Sequence, residues 1–115
     1  MADCIFCRMG RGEVETTVVK RAPGLLAIRD VQPVAPTHVL VIPLEHVSAV
    51  RDAKGEAGVA LLGRLLAFAA EVATDLGLDG GGYRIVTNTG RDGGQSVDHL
   101  HLHVLGGRRM TWPPG

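Results

Sequence analysis

Ser96-Val97-Asp98-His99-Leu100-His101-Leu102-His103-Val104-Leu105 carries three of the chain's five histidines, each two residues from the next. Two is the period of an extended strand, in which alternate side chains share a face. The spacing places His99, His101 and His103 in one row and turns Leu100, Leu102 and Val104 into a core. A polar strand face can carry a single histidine without meaning. Three in register point to chemistry, because imidazole, with an ordinary pKa near 6.5, serves as nucleophile, acid, base or metal ligand around neutrality.

A single zinc ion on the whole row is disfavoured by reach. Positions two apart on a strand are separated by about 6.6 Å, so His99 and His103 stand about 13 Å apart, against a zinc to nitrogen bond of about 2.1 Å. The alternative is divided labour, with the middle histidine as nucleophile or base. Gly93-Gly94-Gln95-Ser96 just upstream suits that reading. Glycines allow close backbone approach, and free amides beside a serine hydroxyl make an oxyanion cradle of the kind phosphates occupy.

Outward from this stretch, residues 16–20 and 25–30 read as a hairpin around Ala22-Pro23-Gly24. Asp30 ends its second strand, and the prolines of residues 32–36 require a loop. Residues 38–42 are apolar at consecutive positions after His38, as in a central strand covered on both faces. A short helical turn is expected over residues 46–50, and another turn or helical piece over residues 8–15. Residues 56–76 form the best helix pattern, stopped by Gly77. Arg64, Glu71 and Asp75 share a narrow polar stripe there. Leu61, Leu62, Leu65, Leu66, Phe68, Ala69 and Val72 cover most of the remaining circumference, wide enough to meet both the sheet and a second subunit. Residues 83–88 read as a strand before the glycine-rich loop. Five short strands and one long helix make this an α+β chain with an antiparallel sheet.

The 115 residues suit one domain, 1–115. Twelve basic residues balance twelve acidic ones, which excludes a broad grip on nucleic acid or an anionic membrane but leaves recognition of one nucleotide open. Met1-Ala2-Asp3-Cys4 shows no basic region followed by an apolar run, and no segment reads as a membrane span of ~18 apolar residues, so a cytoplasmic protein is expected. Cys4-Ile5-Phe6-Cys7 is open to four readings: a redox pair, a disulfide, half of a zinc site, or two small buried side chains. A reducing cytoplasm argues against a permanent disulfide.

The histidine row, preceded by Gly93-Gly94-Gln95-Ser96-Val97 and followed by Gly106-Gly107-Arg108 and Trp112-Pro113-Pro114-Gly115, resembles the histidine triad (HIT) family, in particular its nucleotide-binding (HINT) branch. The resemblance runs from about Asp3 to Gly115. It implies an antiparallel five-stranded sheet with one long and one short helix, continued across a homodimer. It also implies hydrolysis of purine nucleoside phosphoramidates and aminoacyl adenylates. His101 would be the nucleophile on the α-phosphorus, forming a nucleotidyl-histidine that water resolves.

Ser96, His103 and Asn88, with Gly94, Gln95 and Val97, would hold the phosphate, and Asp30 the ribose hydroxyls. His38 would sit behind the nucleophile and orient it, while Ile5, Phe6, Ile28, Val31 and Leu40 would line the base pocket. The same resemblance joins Cys4 and Cys7 to His46 and His99 in a closed structural zinc site, with no catalytic metal. Departures from the family pattern are Arg29 beside Asp30 and Leu44-Glu45 before His46. Two other functions compete: a zinc-stabilised purine nucleotide-binding or interaction module with little catalysis, and a zinc-dependent hydrolase built on the row.

Overall fold

The alternation of aliphatic residues builds a sheet with two covered faces. In the computed structural model, which describes residues 4–115, five strands run β1 (Val18–Ala22), β2 (Leu25–Arg29), β3 (Thr37–Pro43), β4 (Tyr83–Val86) and β5 (Leu102–Gly106). They pair antiparallel in the order β1-β2-β3-β5-β4, so the apolar run of β3 is central, as its composition requires. Successive β3 residues feed opposite cores. Val39 and Val41 enter the larger one with Leu25, Ala27, Leu100, Leu102 and Val104, whereas Leu40 and Ile42 enter a smaller one with Phe6, Leu26 and Ile28.

The long helix α2 (Gly55–Asp75) closes the larger core with Leu61, Leu65, Phe68, Ala69, Val72 and Ala73. Its polar stripe is anchored from β1, where Lys20 lies 2.7 Å from Asp75 and 3.4 Å from Glu71. Val59 and Leu66 remain exposed on the helix. Helix α2, with 21 residues, has the length and composition of a membrane span, yet it is a core helix of this fold. Here its apolar face lies on the sheet.

The helix stops where expected. Leu76 caps it and Gly77 follows at φ +75°, a left-handed conformation that costs glycine nothing. Gly77→Ala is expected to lower stability by about 1 kcal/mol, read as a lower urea midpoint at unchanged slope. An unchanged midpoint would show that the cap is not strained.

Three expectations are corrected in position. The N-terminal helix α1 spans Ile5–Gly10 rather than residues 8–15, and the Cys4 thiol caps it by accepting from the Cys7 amide at 3.1 Å. The helical turn expected over residues 46–50 is displaced toward the C-terminus, a 3-10 turn at Val50–Asp52. The Val47 and Ser48 carbonyls a helix would need are spent on the Leu100 amide, at 2.6 Å, and the Gln95 amide, at 2.7 Å. The strand of the histidine stretch begins only at Leu102. Pro43 opposite has no N–H to give, and its carbonyl accepts from the His99 ring instead. The Thr87 hydroxyl, donating to the His101 carbonyl at 2.9 Å, stands in for a ladder bond. Alternation survives without the ladder, since Leu100, Leu102 and Val104 all enter the core. Residues 1–3, where the N-terminal reading and the start of the resemblance fall, lie outside the described residues.

Candidate active site and metal cluster

Two of the three histidines in the row are buried, His99 at 0% and His101 at 4% exposure, and His103 is half-buried. A buried imidazole must satisfy both nitrogens, and the backbone decides how. His99 Nε2 donates to the Pro43 carbonyl at 2.8 Å, which leaves the Nδ1 lone pair facing Cys4 and Cys7 at 3.2 and 3.5 Å. His101 Nδ1 donates to the His99 carbonyl at 2.7 Å, which leaves its Nε2 lone pair free. His38 Nδ1 accepts from the Val34 amide at 3.1 Å, so its proton sits on Nε2. That proton reaches His103 Nδ1 at 2.9 Å, with Asp30 Oδ2 3.3 Å from the same His38 nitrogen. His103, accepting at Nδ1, therefore carries its own proton on Nε2. One ring offers a lone pair to sulfur, the next a free nucleophilic nitrogen, and the third an N–H donor.

Burial favours the neutral form of His38, His99 and His103. It pushes the His38 and His99 pKa values down, in each case more than any partner raises them. His103 is lowered to about 4, first by burial and then by His101 and His38, against the opposing Asp30 carboxylate. The unfolded chain binds protons at these rings below about pH 6.5 while the fold refuses them, so stability present above that pH is lost as pH falls toward 4. The urea midpoint is expected to drop between pH 6.5 and 4.5. His103→Asn should flatten that dependence, and an unaltered slope in the variant would sink the assignment.

His101 and His103, with ring centroids 5.1 Å apart, open onto a cleft of about 290 Å³. Ile5, Phe6, Ile28, Asp30, Val31, Leu40, Ser96 and Val97 line it, together with Arg29, already noted beside Asp30, and with Met9 and Gln32, which sequence reasoning missed. Met9 follows Phe6 by three residues, a helical spacing that a longer view of α1 would have caught. Asn88, Gly94 and Gln95 do not line the cleft. Gln95 braces the loop, accepting from the Gly90 amide at 2.9 Å and donating to the Ser48 and Val97 carbonyls at 2.7 and 3.0 Å. The Asn88 amide donates to the Gly93 carbonyl at 2.7 Å. His38 contacts His103, with ring centroids 5.2 Å apart. Asp30 is held by accepting from the Gln32 amide at 2.8 Å.

Behind the row, Cys4, Cys7, His46 and His99 bring four ligand atoms within 4.8 Å of one another. Sulfur to nitrogen separations run from 3.2 to 3.5 Å. Tetrahedral zinc with ordinary bond lengths needs about 3.6 Å between such atoms, so the donor set fits. Both cysteines are free thiols. Burial, then the neighbouring Cys4, pushes the Cys7 thiol up, and burial lowers His46 and His99, leaving neutral imidazoles suited to a metal. Asp30, His38 and His103 also cluster within 4.8 Å. There the Val34 N–H keeps the His38 proton on Nε2, which favours a hydrogen-bonded chain over a metal.

Fold and row together define a histidine-triad type of domain. The HIT domain family model matches residues 11–110, and the chain belongs to the HIT family. An uncharacterized HIT-like protein of Synechocystis is 48% identical over 113 residues, spanning 98% of this chain and 97% of its own. A 14 kDa zinc-binding protein of Zea mays is 46% identical over 112 residues, spanning 96% and 87%. The crystal structure of a HIT family hydrolase from Legionella pneumophila superposes with a TM-score of 0.93 at 46% identity, covering 98% of this chain and all of that one. Cys4 and Cys7 precede the span of the family model, so their place rests on the geometry of the cluster.

Proposed function

We propose that the protein is a HINT-branch hydrolase of purine nucleoside phosphoramidates and aminoacyl adenylates. What supports this reading is that two rings of opposite character line one cleft, His101 with its lone pair left on Nε2 and His103 with its proton left on Nε2. His101 attacks the α-phosphorus, the bond from phosphorus to the leaving nitrogen or acyl oxygen breaks, and the leaving group takes any proton it needs from solvent. The charge that develops on the imidazole is held by the His99 carbonyl. His103 and the Ser96 hydroxyl donate to the phosphoryl oxygens, where negative charge grows. Water then displaces the histidine, releasing the nucleoside monophosphate and a proton.

Asp30 is suited to ribose hydroxyls, and Ile5, Phe6, Ile28, Val31 and Leu40 to a purine face. Cys4, Cys7, His46 and His99 would hold a structural zinc ion, which pins α1 to the sheet and supplies no step. The outer edge of β4 and the exposed Val59 and Leu66 support a homodimer with a continued sheet. Free thiols suit a reducing, cytoplasmic setting. Mixing the protein with adenosine 5′-phosphoramidate and quenching during turnover should leave an adenylyl group on His101, detected by peptide mass spectrometry. Turnover with no adduct on any histidine would overturn the covalent route.

A further inference from the structure

Helix α1 belongs to two sites at once. Through Cys4, its cap, and Cys7 it supplies two thiols to the metal cluster, and through Ile5, Phe6 and Met9 it forms one wall of the cleft. A six-residue helix does not hold its shape unaided. It has no extended backbone packing against any strand or α2. Its order rests on side chains: the cysteines at the cluster, and Phe6 in the small core with Leu26, Ile28, Leu40 and Ile42.

Phe6 also joins the two sites directly. Its ring lies edge-on to His99 at 5.8 Å and to His101 at 5.0 Å. His99 is double-ended as well, its ring facing the thiols while its carbonyl holds the nucleophile's Nδ1–H.

We propose that metal occupancy of the Cys4, Cys7, His46 and His99 cluster and nucleotide occupancy of the cleft reinforce each other through α1, with Phe6 as the positioning residue between them. The proposal rests on the reading of the cleft as a nucleotide site. A bound metal orders α1 beforehand, so the nucleotide meets a finished wall and does not bear the cost of ordering it. Linkage makes the effect reciprocal: whatever factor zinc contributes to nucleotide affinity, the nucleotide returns to zinc.

Calorimetry with adenosine 5′-monophosphate on the zinc-loaded and chelator-stripped chain tests this, paired with zinc affinity measured with and without the nucleotide. Zinc is expected to tighten nucleotide binding about tenfold or more, and the nucleotide to tighten zinc by the same factor. Amides of residues 5–10 should lose exchange protection on stripping, while the sheet's far-ultraviolet signal stays. Phe6→Leu should keep zinc affinity without nucleotide within about twofold and bring the coupling factor close to one. Equal nucleotide affinity in loaded and stripped protein, a coupling factor retained by Phe6→Leu, or collapse of the sheet on stripping would each overturn the proposal while leaving the hydrolase reading in place. Failure of the zinc-loaded chain to bind the nucleotide at all would overturn both.

Discussion

His101→Ala is expected to lower kcat for adenosine 5′-phosphoramidate by about four orders of magnitude or more, with metal content unchanged. The size follows from the division of labour along the row. Only His101 both lines the cleft and has a backbone acceptor, the His99 carbonyl, that keeps the proton on Nδ1 and the lone pair on Nε2. Removing it removes the bond-forming atom, and no neighbour can substitute. His103 presents a proton, and His99 Nδ1 faces sulfur. Losing a donor is less costly than losing the nucleophile, so His103→Ala should cost roughly two to three orders of magnitude. The ranking is as informative as the values. Steady-state turnover by both variants, each assayed for zinc, checks it; unchanged turnover in His101→Ala would remove the nucleophile assignment. Bound nucleotide without turnover in wild type would favour the binding-module reading.

The row was legible because alternation is a property of extended backbone and needs no partner to be seen. Its consequences were less so. Nothing local marks Leu102 as the start of the ladder; that depends on Pro43, which the register carries opposite Leu100 and whose carbonyl goes to the His99 ring. The contact of His38 with His103 was not legible, because it follows from the register of β3 against β5, where Leu40 faces His103. Gln95 sits in a phosphate-loop pattern, yet its side chain is used up by Gly90, Ser48 and Val97, partners brought in by the fold. The tautomers were the least accessible feature. Backbone groups of Val34, Pro43 and His99 set them, and backbone groups are the same in every sequence.

Cys7→Ala, or removal of the metal by a chelator, is expected to lower the thermal midpoint by about 10 °C, corresponding to about 3 kcal/mol for a domain of this size. The effect is bounded on both sides. It should exceed that of a surface change, since Cys7 is 7% exposed and His99 is 0% exposed, so stripping leaves buried thiol and imidazole groups without their partner. It should fall well short of a zinc-finger peptide's dependence on metal, because the larger core of α2 and the sheet contains none of the four ligands. The loss should therefore be concentrated in α1. The two treatments must also be non-additive: a chelator added to Cys7→Ala should produce little further fall, because both act on one site. Calorimetric scans of the four combinations, each with bound zinc measured, decide the matter. A wild-type midpoint that stays put after its zinc has gone would mean that the thiols and histidines are held by packing alone.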